Sequence, residues 1–241
     1  MGKLFLVVYR QLIKLDHGSS IMTKEKSIAI LGDSFCRPVN GTSHFSHMLE
    51  LDVKNYSWAG ASNHNICQQA VRCLKEDSAD TIFVSFTSSV RISFRLNEGL
   101  KNNAELYSRY HRPHKPNPEQ DLLTSTYYQT QREYPLSNDK TQLFQQYHRE
   151  FTDLKHQVDE NYHMICSCLS RLFSSNKKIL WSQGGFEHPS FGSSDKWNFD
   201  MWGDSKIDLN LWNHIDDKDS HQHITNPKTH RWIAEQILSY L

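Results

Sequence analysis

The segment SIAILGDSFC, residues 27–36, places an acidic and a hydroxyl side chain directly after a short apolar run. An Ile-rich run that ends at a glycine predicts a buried strand, here Lys26–Leu31, so that Asp33 and Ser34 follow the strand at its carboxyl end. A serine hydroxyl is a weak nucleophile that needs a neighbouring base. Gly-Asp-Ser alone occurs in many turns, so the meaning of Ser34 depends on which other polar segments join it.

Further polar and glycine residues follow the next two predicted strands. In an open parallel sheet, ligands bind beyond the carboxyl ends of the strands. The candidates there are Gly60 and Asn63 after the second predicted strand, and Thr87, Ser88 and Arg91 after the third. Because a parallel sheet brings these ends to one edge, we expect the residues to form one site. Asn63 is equally suited to cap the helix that follows it.

The segment DSHQH, residues 219–223, directly precedes the last predicted helix and supplies an acid–base pair. His223 can take the serine proton, since its unperturbed pKa is close to neutrality. Asp219 can hold that imidazole in the correct tautomer. With backbone N–H groups at a glycine turn to stabilise an oxyanion, these are the parts of acyl transfer. His214, His221 and His230 remain alternatives for the base, and Asp216 and Asp217 for the carboxylate; His230, inside the predicted helix, is interpreted as a surface residue.

Taken in order, these segments resemble the four motif blocks of the SGNH, or GDSL-type, hydrolases. Ser34 in GDSFC matches the nucleophile, Gly60 in NYSWAGASN matches the oxyanion donor of the second block, and His223 matches the histidine before the final helix. The third block departs from the family, because Thr87 stands where Asn is expected, in a Thr-Ser-x-x-Arg variant that ends at Arg91. Asp219 also lies four residues before His223, where the family has three.

The resemblance implies a Ser34–His223–Asp219 triad. It implies an oxyanion site made by the N–H groups of Ser34 and Gly60 with the Thr87 hydroxyl. Asn63, Ser88 and Arg91 are the further candidates for substrate binding. It implies no cofactor and a small-molecule or carbohydrate ester as the substrate.

Strands alternate with helices along the chain, which predicts a parallel sheet covered on both faces. The predicted strands are Lys26–Leu31, Val53–Trp58, Thr81–Phe86 and Lys177–Gln183, and the predicted helices are His44–Leu51, Asn65–Lys75, Asp139–Ser174 and one that starts at Pro227 with Asn226 as its cap. We therefore expect a three-layer α/β/α sandwich with a mostly parallel central sheet, the flavodoxin-like architecture of the SGNH hydrolases. Residues 22–241 are predicted to form one domain, residues 1–21 an extension or misassigned start, and residues 93–140 a polar insertion with some helix.

Composition narrows the possible partners and the compartment. Lys plus Arg and Asp plus Glu both number 27, so the formal net charge is zero and nothing favours nucleic acid or an anionic membrane. The five cysteines form no CxxC pair and are interpreted as free thiols in a reducing compartment. The first residues hold no signal peptide or membrane span, so a cytoplasmic location is expected. HQH at 221–223 has no matching ligand pair, so no metal is expected.

The favoured hypothesis is a serine esterase that hydrolyses O-acyl, most simply acetyl, esters on a carbohydrate. One alternative is an O-acyltransferase with the same triad, and another is a non-catalytic glycan-binding domain. The aromatic residues of the region after the fourth strand suit either stacking on a sugar or acyl chain, or core packing: Trp181, Phe186, Trp197, Phe199 and Trp202.

Overall fold

A computed structural model of the chain describes residues 26–38, 44–58, 61–87, 89, 91–95, 122–126, 150, 154–183, 198–209, 224 and 226–241. For residues 91–95, 122–126 and 154–155 it describes the backbone alone. The strands are β1 Ser27–Leu31, β2 Asp52–Asn55, β3 Thr81–Ser85, β4 Arg91–Arg95, β5 Leu122–Thr126 and β6 Lys178–Ser182. The α-helices are α1 Asn63–Glu76, α2 Leu154–Phe173 and α3 Pro227–Ser239, and two 3-10 helices span Phe45–Met48 and Asp200–Ser205.

Four strands form a parallel sheet in the order β2-β1-β3-β6. If the four strands of this sheet are numbered in chain order, their order is 2-1-3-4, as in flavodoxin-like folds. The chain passes from β1 to β2 on one side of β1 and then crosses to β3 on the other side. Beyond β6, the Ile207 N–H donates to the Trp181 carbonyl at 2.8 Å, which adds a short pairing at that edge. The parallel α/β class predicted from the sequence is confirmed.

Helices cover both faces of the sheet. On one face, α1 and α2 pack against side chains such as Ala29, Ile82 and Ile179. On the other face, α3 and the first 3-10 helix pack against Ile28 and Phe83 with their neighbours. Because both faces are covered, β1 reads as a continuous apolar run rather than an alternating one.

Local capping explains where two of the helices begin. The Ser62 hydroxyl accepts from the Asn65 N–H while the Asn65 side chain accepts from the Ser62 N–H, which is a capping box at the start of α1. The Asn226 side chain accepts from the Lys228 N–H at 2.9 Å, with Pro227 in the first turn of α3, as the sequence predicts.

The segment predicted as an insertion contributes no strand to the main sheet within its described part. Strands β4 and β5 pair antiparallel with each other, with Arg91 opposite Thr126, and form a separate two-stranded sheet. The described residues of the 93–140 segment, 93–95 and 122–126, are strand, and the remaining residues, on which the expected helix would fall, lie outside the described residues. Of the long helix predicted over 139–174, α2 accounts for 154–173, while residues 139–149 and 151–153 lie outside the described residues, as do 1–25.

Candidate active site

The carboxyl ends of β1 and β3 lie side by side, where the strand order reverses. The chain passes from β1 to β2 on one side and returns to β3 on the other. In folds of this order, ligands bind in the crevice outside this point. Ser34 follows β1 and Thr87 follows β3, so the structure places both predicted residues at the position where such a fold binds its ligand.

Ser34 lies in a tight turn that buries its neighbours. The Cys36 N–H donates to the Asp33 carbonyl at 3.1 Å, and the Phe35 N–H donates to the Asp33 carboxylate at 3.0 Å. From Leu31 to Cys36, Ser34 is the one residue that is partly exposed. Among the described residues, neither its hydroxyl nor its N–H has a hydrogen-bond partner.

Gly32 is required by the way this turn folds back on the strand. A Cβ atom at Gly32 would lie 2.6 Å from the Cys36 sulfur and 2.9 Å from its Cβ. Burial, and next the Asp33 carboxylate, raise the pKa of the Cys36 thiol far above its ordinary value, and the Ser85 hydroxyl hydrogen-bonds to it. Cys36 is therefore a neutral, buried packing residue and does not compete with Ser34 as a nucleophile.

Gln69 of α1 holds the backbone immediately before the turn. Its side-chain oxygen accepts from the Gly32 N–H at 2.8 Å, and its nitrogen donates to the Gly32 carbonyl at 3.0 Å. The carbonyl also accepts from the Trp58 N–H at 3.2 Å. Gln69 is 1% exposed, and its buried amide makes the two hydrogen bonds to the Gly32 backbone that a neighbouring strand would otherwise make.

Asp33 joins the ends of β1 and β3. The Thr87 hydroxyl donates to the second oxygen of the buried Asp33 carboxylate at 2.8 Å. A threonine hydroxyl has a single hydrogen to donate. Since that hydrogen is directed to Asp33, the oxyanion role predicted for the Thr87 hydroxyl is not supported by this geometry. Thr87 is instead part of the frame that fixes the turn.

Asn63 holds the backbone of Thr87 in the same manner as Gln69 holds Gly32. Its oxygen accepts from the Thr87 N–H at 2.8 Å, and its nitrogen donates to the Thr87 carbonyl at 2.9 Å and to the Asn161 side chain at 3.1 Å. Asn63 is 0% exposed, so its predicted contact with substrate is corrected to a contact with the protein. The alternative role is also corrected, because the cap of α1 is Ser62.

Helix α2 fixes the chain beyond Thr87. The Asn161 and Gln157 side chains each donate to the Ser89 carbonyl, at 3.0 and 3.1 Å. The end of β3 is therefore held by amide side chains from two helices. The sequence analysis named Asp33 without giving it a role and missed Gln69, Gln157 and Asn161. The one local signal is the polar stripe that places Asn65 and Gln69 beside Ile66 on α1.

Several predicted site residues lie outside the described residues. These are Gly60, Ser88, Asp219 and His223, together with the alternatives His214, Asp216, Asp217 and His221. Arg91 is described by its backbone alone, as the first residue of β4. On either side of residues 59–60, the Ala61 N–H donates to the Trp58 carbonyl at 3.3 Å.

Two interpretations of ring-bearing residues are settled by burial. His230 is 3% exposed and its Nε2 lies 3.0 Å from the Ile224 carbonyl, so the interpretation as a surface residue is wrong. Trp181, Phe199 and Trp202 are buried in one core cluster, and their rings lie against one another. For these three, core packing is confirmed over stacking on a ligand, while Phe186 and Trp197 lie outside the described residues.

The part of the chain that the structure describes offers no metal site and no membrane-spanning helix. There, no group of three or more His, Cys, Asp and Glu side chains is placed to hold a metal ion. No α-helix in that part has the length and hydropathy needed to cross a membrane. All five cysteines are free thiols, as predicted.

No family model matches the sequence, and no curated protein is similar to it. Solved structures do resemble the fold. A protein assigned to the G-D-S-L family of lipolytic proteins, from Desulfitobacterium hafniense, superposes with a TM-score of 0.49 and 7% identity over 90% of this chain and 99% of its own. The acetyl xylan esterase AlAXEase gives 0.46 and 12% over 89% and 99%. The psychrotrophic esterase EstA from Pseudoalteromonas sp. gives 0.48 and 9% over 90% and 96%. At these values, the function has to be argued from the site's own geometry.

Proposed function

We propose that the protein is a serine esterase in which Ser34 attacks the carbonyl carbon of an O-acyl ester. The observation that carries this proposal is the exposure of Ser34 in a turn whose other residues are buried, at the point where the strand order reverses. A residue needed only for the turn could be buried like Asp33 and Phe35. A partly exposed serine on a backbone held by hydrogen bonds meets two requirements of a nucleophile, access to the substrate and a fixed position.

The remaining chemistry is assigned to residues named by the sequence. His223 takes the proton of Ser34 and returns it to the leaving alcohol, and Asp219 orients the imidazole. The N–H groups of Ser34 and Gly60 stabilise the oxyanion, for which the unpaired Ser34 N–H among the described residues is the supporting observation. Because the Thr87 hydroxyl is bonded to Asp33, any third donor has to come from elsewhere, and Ser88 and Arg91 remain the candidates.

An acetylated carbohydrate is the proposed substrate. Three aromatic residues that the sequence offered as a sugar platform are in the core. Trp58 packs against the same core cluster but is only partly buried, and it lies beside Gly32 of the turn. Trp58 is partly exposed, and its backbone N–H donates to the Gly32 carbonyl. A sugar ring stacked on Trp58 would lie close to Ser34, so Trp58→Ala is expected to raise KM for a sugar acetate more than for p-nitrophenyl acetate.

The experiment is hydrolysis of p-nitrophenyl acetate and of acetylated xylose and glucosamine derivatives by the purified protein. Ser34→Ala should lower kcat/KM by at least ~10³-fold and abolish labelling by a fluorophosphonate probe. Ser170→Ala is the matched control, because Ser170 is exposed on α2 and away from the sheet edge. Full activity in Ser34→Ala would refute the proposal. An inert wild-type protein that binds acetylated sugar without labelling would favour the glycan-binding alternative.

The same assay separates hydrolysis from acyl transfer. Added sugar is titrated into the reaction, and acetate and acetylated sugar are quantified separately. We expect acetate to remain the main product at all sugar concentrations. Product that shifts to acetylated sugar would identify the protein as an O-acyltransferase that uses the same nucleophile.

A further inference from the structure

Two buried histidines outside the proposed triad pack against each other beside the turn that carries Ser34. His44 precedes the first 3-10 helix and His230 belongs to α3; they are 2% and 3% exposed. Their ring centroids lie 5.0 Å apart. Phe45 completes the cluster, with centroids 4.3 Å from His44 and 6.3 Å from His230. Polar rings in such a place need specific partners, and those partners define what the pair does.

His44 is bonded to the turn that carries Ser34. The Ser46 N–H donates to His44 Nδ1 at 3.2 Å, and a backbone N–H can only donate, so Nδ1 carries no hydrogen. The hydrogen is therefore on Nε2, which donates to the Phe35 carbonyl at 3.1 Å. Burial lowers the pKa of His44 to about 4, so the ring is neutral at pH 7 and this arrangement persists.

His230 makes the equivalent bond to the backbone of Ile224. Its Nε2 lies 3.0 Å from the Ile224 carbonyl, and because a carbonyl can only accept, Nε2 is the donor. Ile224 is itself buried in the core cluster that includes Phe35 and Phe45. In the sequence, Phe35 directly follows Ser34, and Ile224 directly follows His223.

We infer that His44 and His230 are positioning residues. They link the backbone at Phe35, which follows the nucleophile Ser34, to the backbone at Ile224, which follows the base His223 in the sequence. The inference rests on the proposed function. Each histidine holds a carbonyl one residue from a reacting side chain, about 3.8 Å along the chain. Their rings are in contact within a close-packed core, so a shift at one carbonyl is transmitted to the other. A misplacement of about 1 Å between reacting groups can cost ~10²-fold in rate.

The test is a double-mutant cycle in which each histidine is replaced by a side chain that is either too short or long enough to donate to the carbonyl. Asn places an amide near the Nδ1 position and cannot reach the carbonyl, whereas Gln can place its nitrogen near the Nε2 position. His44→Asn and His230→Asn should each lower kcat on p-nitrophenyl acetate about 10- to 100-fold, with KM changed less than about threefold. The kcat of the double variant should be less than about threefold below that of either single Asn variant, because each single substitution already breaks the link between the two segments. The Gln variants should recover most of kcat.

The control for a general loss of stability is Ile237→Ala, in the same core cluster but without a hydrogen bond to either segment. It should lower the denaturant midpoint and keep kcat within about threefold. Additive losses in the cycle, or loss of kcat in Ile237→Ala that matches the Asn variants, would overturn the inference. If an Asn variant is unfolded, Met, which fills the ring volume without a donor, replaces it in the cycle.

Hydrogen exchange separates failure of the link from failure of the proposed function. His230→Asn should speed amide exchange in peptides covering residues 33–38 by at least about fivefold, although His230 is distant from them in sequence. Unchanged exchange there would refute the link whatever the activity. Wild-type protein with no Ser34-dependent turnover would refute the esterase, while the exchange result would still decide whether the two segments are coupled.

Discussion

Gln69 is the most direct test of how the nucleophile turn is held, and the variant is Gln69→Leu. Leucine is close to glutamine in size, so the change removes the amide without leaving a large cavity. Both hydrogen bonds to Gly32 are lost, at 2.8 and 3.0 Å in the native protein. The backbone two residues before Ser34 then loses its contact with α1.

The magnitude follows from which backbone atoms lose their partner. The Gly32 carbonyl keeps the Trp58 N–H as donor at 3.2 Å, so it stays bonded. The Gly32 N–H has no such second partner among the described residues. A buried donor left without an acceptor costs about 1–3 kcal/mol. We therefore expect the free energy of unfolding to fall by about 2 kcal/mol, with a further loss in kcat because the turn is no longer fixed.

Guanidinium denaturation, with the midpoint and slope fitted separately, measures this loss. The matched control is Gln68→Leu, because Gln68 is the exposed neighbour on the same helix and bonds only to His64 among the described residues. It should change stability by less than about 0.5 kcal/mol. A loss in Gln69→Leu no larger than in this control would refute the reasoning that Gln69 holds the turn.

Three further predictions concern the turn and its surroundings. Gly32→Ala should destabilise the protein and lower Ser34 reactivity, with only partial recovery in the double variant with Cys36→Ala, since the 2.9 Å contact with the Cys36 Cβ remains; full recovery would show that the sulfur alone is the obstacle. Thr87→Val should lower the free energy of unfolding by about 1.5–3 kcal/mol, because it removes a hydrogen bond to the buried Asp33 carboxylate. Thr87→Ser keeps the hydroxyl and should retain most of this stability, and urea unfolding midpoints measure both variants. The pKa of His44 is lowered to about 4 by burial, with the neighbouring His230 and His47 acting in the same direction and the Phe35 carbonyl against it. The unfolded chain, with a pKa of about 6.5, takes up the proton first, so stability is full above pH 6.5 and should fall by about 3 kcal/mol as the pH drops towards 4; an equally steep fall in His44→Gln would exclude His44 as the cause.

Local patterns were sufficient for the main elements of the fold. Apolar runs that end at glycine or polar residues predict the strands, and the Asn226-Pro227 signal predicts the start of α3, because strand burial and helix capping depend on residues close in sequence. The position of Ser34 after β1 follows from the same local signals. The sequence could not give β4 and β5, since an antiparallel pair of strands depends on pairing between segments far apart.

Helix α1 shows where periodicity stops being informative. The apolar spacing places Ile66, Ala70 and Val71 together on the expected core face, yet Val71 is 40% exposed and Gln69 is 1% exposed. The inward face is rotated to bury Gln69 because its amide completes the hydrogen bonds of Gly32, 37 residues earlier in the chain. Hydrophobicity alone ranks these two residues in the opposite order.

The sequence by itself determined the order of the four main-sheet strands and of the helices between them, and the residue types that can do acyl chemistry, with Ser34 foremost among them. The tertiary structure decided what the buried polar side chains do. Asn63 and Thr87, predicted to face a ligand, hold the strand end instead, and His230, predicted at the surface, is buried against His44. The physical reason is that a buried polar group must find a partner, and for Asn63 those partners lie 24 and 98 residues away. Only the packing of helices on the sheet brings such partners within hydrogen-bond distance.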